Sequence, residues 1–79
     1  MINIQLTKSS TNNNARLWLK KIRLEKRFTQ ENVAKQCNIS RPLYSQIEAG
    51  LKSPGHINAK KIAQLLGFDW TMFFENMDE

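Results

Sequence analysis

The protein is short and basic, and its composition excludes several classes of protein. Its 79 residues suffice for one small domain with a thin core, and they leave little room for a second functional unit. The lone cysteine, Cys37, excludes an internal disulfide and a cysteine-based zinc cluster. No apolar run approaches the ~20 residues of a membrane span, and the N-terminus lacks the features of a secretory signal. We therefore expect a cytoplasmic protein in a reducing environment.

The net charge of +5 is unevenly placed along the chain. All twelve Lys and Arg residues and three of the acids lie in residues 1–68, whereas residues 69–79 hold four acids and no base. A basic body favours a polyanion, through phosphate neutralisation and counterion release. On charge alone, nucleic-acid binding and an ordinary basic surface both stay open.

Residues 1–14 are predicted to form a flexible or strand-like N-terminal arm ahead of a helical domain over residues 15–77. The arm begins with three apolar residues in strand-like alternation, Ile2, Ile4 and Leu6, but a lone strand needs a partner. The polar run that follows contains one base, Lys8. We therefore favour a loose tail or a strand exchanged between subunits over an arm that wraps DNA.

The first helix is predicted over residues 15–26. Asn14 or Asn13 can cap its N-terminus. Three apolar residues at helical spacing should face the core: Trp18, Leu19 and Ile22. Basic residues occupy much of the remaining surface of this helix.

The second helix is predicted over residues 30–37, with Thr29 as its N-cap. Its buried stripe should be formed by Val33, Ala34 and Cys37. Asn38 follows at the C-terminus, and asparagine tolerates the left-handed conformation in which a chain can reverse. Two short helices joined by a tight turn are therefore expected here.

The third helix is predicted to begin after a cap at Ser40 and to end before Gly50. Pro42 fits its first turn, where the missing N–H leaves no bond unmade. The helical spacing places three residues on the inward side: Tyr44, Ile47 and Glu48. Another five should lie together on the outward side: Arg41, Pro42, Ser45, Gln46 and Ala49.

The outward side of the third helix has the chemistry to read bases. Arg41 offers a two-pronged donor to guanine, and Gln46 can pair in the same way with adenine; each good pair discriminates by ~1–3 kcal/mol. Ser45 is small enough to let the helix approach and can bond either kind of base, and Pro42 can contact a thymine methyl. An ordinary solvated helix face has the same composition, so these residues alone leave both interpretations open.

The last two helices are predicted over residues 56–66 and 70–76, with Gly67 ending the former and Asp69 capping the latter. The final helix holds more apolar residues than one face of a short helix can bury. Its aromatic residues can pack on the first helix near Trp18, and the excess predicts a self-association surface. Its candidates are Trp70, Phe73, Phe74 and Met77. Burial of all of them within one subunit is the alternative.

The whole pattern resembles the helix-turn-helix of the phage repressor and Cro family, also called the Xre or Cro/CI-like family. The resemblance covers about residues 16–74. The residues that carry it are Arg23, Thr29-Gln30, Val33-Ala34, Ile39-Ser40, Ser45, Ile47-Glu48, Gly50, Pro54, Ile62-Ala63 and Leu66-Gly67. It implies an all-α, compact five-helix domain like the DNA-binding domain of lambda repressor, with the second and third helices as the helix-turn-helix.

The resemblance also implies roles for individual residues. The base-reading positions match Arg41, Pro42, Ser45 and Gln46. The positions that contact phosphate or set the docking match Gln30, Ser40, Lys52 and Ser53. Arg23 and Glu48 match a pair that forms an internal salt bridge in many members, and Gln30 often helps to hold a side chain on the recognition helix. Pro42 and Ala49 depart from the family pattern because neither has a side-chain donor.

By this resemblance the protein should be a transcriptional regulator of a bacterium or phage, acting on nucleoid DNA. We expect a repressor that binds a palindromic operator in double-stranded DNA as a homodimer. A prophage or another mobile element is the expected source of such a repressor. Two alternatives stay open: the DNA-binding antitoxin of a toxin–antitoxin module, and a protein–protein adaptor with the same fold. A toxin or anti-repressor would then be its protein partner. No catalytic constellation, metal ligand cluster or cofactor motif is found in the sequence, so we expect neither an enzyme nor a cofactor.

Overall fold

Four α-helices and one short 3-10 helix make up the part of the chain that the computed structural model describes, residues 15–75. The α-helices are α1 (Leu17–Glu25), α2 (Gln30–Gln36), α3 (Arg41–Glu48) and α4 (Gly55–Leu66), and the 3-10 helix is Trp70–Phe74. No strand occurs among these residues, so the predicted all-α helix-turn-helix class is confirmed. The predicted N-terminal arm, residues 1–14, and Met77 lie outside the described residues.

Local hydrogen bonds explain where the helices begin. The hydroxyl of Thr29 accepts from the backbone N–H of Asn32 at 3.0 Å, and the Asn32 side chain accepts from the N–H of Thr29 at 3.2 Å, which is a capping box for α2. Ser40 caps α3 by accepting from the N–H of Leu43 at 3.1 Å. Asp69 caps the 3-10 helix. The predicted caps at Thr29, Ser40 and Asp69 are therefore confirmed.

Within residues 15–75, two non-glycine residues adopt the left-handed conformation, each at the end of a helix. Asn38 has φ 59° between α2 and α3, as predicted, and Arg27 has φ 66° between α1 and α2. The tight turn at Asn38 lets the chain reverse within four residues, so α3 packs directly on α2. The sequence carried no signal for Arg27, because arginine adopts this conformation only rarely.

The core lies between α1 and the three helices that follow it. Its largest fully buried side chains are Tyr44, Leu19, Ile47, Ile62, Leu66 and Val33. Trp18 closes one edge of the core, with its ring 5.2 Å from that of Phe68 and 5.3 Å from that of Phe73. Edge-to-face contacts of this kind add to the stabilisation from buried apolar area. The inner side of α3 packs against this core, and its outer side is left uncovered by the other helices.

The prediction of a fifth α-helix over residues 70–76 is wrong: the segment Trp70–Phe74 is a 3-10 helix. The backbone N–H of Met72 donates to the carbonyl of Asp69, three residues back, at 3.0 Å. The Asp69 carboxylate also accepts from the Thr71 N–H and hydroxyl. These bonds hold a tight first turn, and a segment of five residues suits the 3-10 form.

The expected packing and exposure of the last aromatic residues also need correction. Phe73 is 6% exposed and belongs to the core, so it is not available as a dimer surface of a folded subunit. Trp70 does not stack on Trp18; its ring lies against His56 and Phe74, at 5.4 Å and 6.0 Å between centroids. Phe73 is the aromatic residue of this segment that packs against Trp18 of α1, whereas Trp70 lies over the start of α4.

The start of α1 also differs from the prediction, and the residues proposed as its cap, Asn13 and Asn14, lie outside the described residues. The residue in the N-cap position is Arg16, and its side chain makes no capping bond. Its backbone N–H instead donates to the carbonyl of Glu48 at 2.8 Å. The start of α1 is therefore tied to the end of α3. Among residues 15–75, no helix is long and apolar enough to cross a bilayer.

Candidate nucleic-acid interface

A buried polar cluster holds the inner side of α3. Arg23 of α1 and Glu48 of α3 are each 6% exposed and form a two-pronged ion pair, with Nε–Oε2 at 2.6 Å and Nη2–Oε1 at 3.2 Å. Gln30 of α2 donates to Glu48 Oε1 at 3.0 Å, and the Tyr44 hydroxyl donates to Oε2 at 2.7 Å. One carboxylate thus connects three helices, including the ion pair that the resemblance implied.

The electrostatics of this cluster favour its ionised form. Burial by itself raises the pKa of Glu48, but the hydrogen bonds from Arg23, Gln30 and Tyr44 outweigh it and hold the pKa below its ordinary value. The hydrogen bond to Glu48 raises the pKa of Arg23. Burial, followed by the hydrogen bond to Glu48, raises the pKa of Tyr44. The cluster is therefore an ion pair with its lone pairs satisfied, which is the form in which buried charges are tolerated.

The side of α3 that lies opposite this buried cluster faces solvent in the first turn of the helix. Arg41 and Pro42 are exposed, and Ser45 and Gln46 are half-buried. These four residues lie away from the buried side formed by Tyr44, Ile47 and Glu48. An α-helix fits the major groove of B-DNA, and the donors of Arg41 and Gln46 match the edges of guanine and adenine there. The geometry allows this side of α3 to read bases.

The four residues predicted to touch phosphate or set the docking surround α3. Ser40 lies at its start, and a hydroxyl that accepts a capping bond still has a proton to donate. Gln30 uses one amide hydrogen on Glu48, and its amide carries a second. Lys52 and Ser53 are exposed in the loop after α3. Ser45 and Ala49 line a groove beside α3 together with Gln30 and Lys20.

Arg16 also belongs to this region, although no motif in the sequence points to a role for it. Its guanidinium donates to the carbonyls of Ile47 at 2.6 Å and Lys52 at 3.2 Å. The same guanidinium lies 5.5 Å from the centre of the Phe73 ring, and desolvation lowers its pKa. Backbone carbonyls carry no sequence signal, so nothing in the pattern could pair Arg16 with residues that lie more than thirty positions away.

The described residues contain no group of three or more His, Cys, Asp or Glu side chains able to hold a metal ion. Cys37 is buried, and burial raises the pKa of its thiol, which disfavours the reactive thiolate. His56 is exposed near the start of α4 and lies against Trp70 and Phe74. Neither residue adds a catalytic centre to the recognition surface.

The helices α2 and α3 form a helix-turn-helix. The inner side of α3 is held by the Arg23–Glu48 pair, and its outer side is polar. This arrangement is that of a DNA-binding regulator. A family model described as helix-turn-helix matches residues 19–73, which is more than half of the chain. The chain belongs to this family, the Xre-type helix-turn-helix proteins, and is a DNA-binding regulator and not an enzyme.

Two relatives support this assignment. An uncharacterized HTH-type transcriptional regulator, YqaF, of Bacillus subtilis (strain 168) is 58% identical over 62 residues, covering 78% of this chain and 82% of the relative. The control protein C.MunI of Mycoplasma sp is 36% identical over 62 residues, covering 77% of this chain and 84% of the relative.

Proposed function

We propose that the protein is a transcriptional repressor that binds a palindromic operator as a homodimer, with α3 in the major groove. The observation that carries this proposal is the two-sided character of α3. Its inner side is fixed by the Arg23–Glu48 pair, and its outer side presents Arg41 and Pro42 to solvent. A helix held in this way can discriminate between bases, because its backbone needs no reordering when its exposed donors meet the base edges.

The roles around α3 divide into two kinds. Arg41, Ser45 and Gln46 contact base edges, and Pro42 contacts a thymine methyl. Phosphates are bound by Gln30, Ser40, Lys52 and Ser53, which fixes the register without reading sequence. An operator occupied in this way is closed to other DNA-binding proteins, so bound protein represses a promoter that overlaps the site.

The dimer surface in this proposal lies at the start of α4 and the 3-10 helix. Trp70 and Phe74 are half-buried there and pack against His56, with Lys60 Nζ 4.9 Å from the centre of the Trp70 ring. Ile57, next to them in α4, is 73% exposed. An exposed apolar side chain beside partly covered aromatic rings favours association with a second copy. One recognition helix reads few base pairs, and a two-fold pair doubles the site.

Selection of binding sites from a random DNA pool tests this function. The selected duplex and a scrambled duplex are then titrated at two salt concentrations. The proposal predicts a palindromic winner, with half-sites about one helical turn (~34 Å) apart, that binds at least ~1,000-fold more tightly than the scramble. No enrichment, together with weak binding that salt abolishes equally for both duplexes, would contradict it and would favour the adaptor alternative.

A further inference from the structure

The contacts of Arg16 join the start of α1 to the end of the recognition helix. Its N–H donates to the Glu48 carbonyl at 2.8 Å, and its guanidinium donates to the carbonyls of Ile47 and Lys52. The last carbonyls of a helix have no partners within the helix, and a cation near them is favourable. Arg16 supplies both a donor and a charge at the C-terminal end of α3.

The carbonyl of Lys52 is the contact that extends beyond the helix. The backbone N–H of Lys52 donates to the Gln46 carbonyl at 3.3 Å, and the N–H of Leu51 donates to the same oxygen at 2.9 Å. The N–H side of Lys52 is thus held by α3, and its carbonyl side is held by Arg16 at 3.2 Å. Both peptide units of Lys52 are fixed, although its side chain is exposed.

Contacts with three elements hold Arg16, which precedes the residues that the family model matches, 19–73. Its guanidinium also lies over the Phe73 ring, 5.5 Å from the ring centre. Its orientation therefore depends on α1, α3 and the 3-10 helix together.

We propose that Arg16 is a positioning residue for DNA binding: it holds residues 50–53 so that Lys52 meets a phosphate when α3 enters the major groove. This role rests on the proposed function. Arg16 contacts no DNA in it and acts through the loop. Without the two guanidinium bonds the loop samples more conformations, and binding then has to order it.

A double-mutant cycle between Arg16 and Lys52 tests the role. Arg16→Met keeps an unbranched side chain and removes the guanidinium, both its hydrogen bonds to the backbone carbonyls and its contact with Phe73. Lys52→Ala removes the phosphate contact. We expect Lys52→Ala to weaken binding of the selected duplex about tenfold in the wild-type background and less than about twofold beside Arg16→Met. Lys21→Met, an exposed α1 lysine changed in the same way, is the matched control; in its background the tenfold loss should persist.

A second measurement separates positioning from a general loss of stability. In Arg16→Met, the amides of Leu51 and Lys52 should exchange hydrogen faster, whereas the amide of Tyr44, bonded to Ser40 within α3, should not. Arg16→Lys keeps a charge and donors, and it should restore part of the loss in affinity.

The outcomes separate this role from the function on which it rests. Losses that simply multiply in the double mutant, or equal exchange at all three amides, would overturn the role of Arg16 while wild-type binding stays specific. Absence of sequence-specific binding by the wild type would overturn the proposed function and this role together.

Discussion

At the scale of single residues, Glu48 makes more side-chain hydrogen bonds than any other side chain among the described residues. Its carboxylate accepts from Arg23, Gln30 and Tyr44, which belong to three helices. Removing its charge would leave the Arg23 guanidinium buried without its partner. Breaking a buried ion pair on one side costs about 3–5 kcal/mol.

The pH dependence of stability follows from the pKa of Glu48. Because its pKa is lowered in the folded state from an ordinary value of 4.5, its contribution is complete above that value and is lost as the pH falls through the folded value. Glu48→Gln should lower the free energy of unfolding by about 3 kcal/mol at neutral pH and should flatten its decline in acid. Urea denaturation across this pH range measures both effects.

Glu25→Gln is the matched control, because Glu25 is an exposed acid at the end of α1. It should leave the stability and the acid profile close to those of the wild type. An unchanged acid profile in Glu48→Gln would show that another carboxylate governs the acid response.

At the scale of elements, the turn between α2 and α3 determines how the recognition helix is presented. Ser40 and the capping box at Thr29 fix where the two helices start, and Asn38 provides the reversal between them with φ 59°. Each device is local, since it depends only on residues close to it in the sequence. The turn therefore contributes to stability and also sets the direction of α3.

Substitution at Asn38 tests the turn. Asn38→Ala should lower the free energy of unfolding by about 1 kcal/mol, because alanine lacks the short polar side chain that helps asparagine to adopt the left-handed conformation. Asn38→Gly, which has no Cβ, should cost little or stabilise the turn. Thermal unfolding of the two variants gives the comparison, and equal losses would mean that the asparagine side chain, and not the backbone conformation, matters.

At the scale of the whole molecule, the two proposed surfaces are built from different elements. The DNA surface belongs to α3 and the loop after it, and the dimer surface belongs to α4 and the 3-10 helix. Phe73 is buried between them in the core, so both surfaces rest on the same packed interior. Residues 69–79 carry four acids and no base, a charge that suits a position away from phosphates.

Ile57 provides the test of dimerisation. Ile57→Glu should shift the protein toward monomer and reduce binding of a palindromic duplex by at least ~10-fold, because each half-site is then bound independently. Leu24→Glu introduces the same charge at another exposed apolar position, 54% exposed on α1, and should leave the dimer intact. Sedimentation equilibrium reports the mass of each variant. An intact dimer of Ile57→Glu would show that the interface does not include Ile57 and would contradict this dimer surface.

Local signals explain why much of the fold could be predicted from the sequence. The caps at Thr29, Ser40 and Asp69 and the reversal at Asn38 depend on neighbouring residues, so the sequence pattern was sufficient for them. The Arg23–Glu48 pair came from the family resemblance, since its partners lie 25 residues apart. The bonds of Arg16 span 31 and 36 residues and end on backbone carbonyls. Such contacts depend on the packed structure, as does the burial of Phe73.

Reading of bases by α3 is tested most directly by the affinity of two variants for every single-base change in the selected duplex. Arg41→Ala should lose about 1–3 kcal/mol and relax the preference at one position of each half-site. Lys52→Ala should weaken all duplexes about equally and lower the salt slope by about one. A uniform loss from Arg41→Ala would contradict base reading by this residue and would make it a phosphate contact.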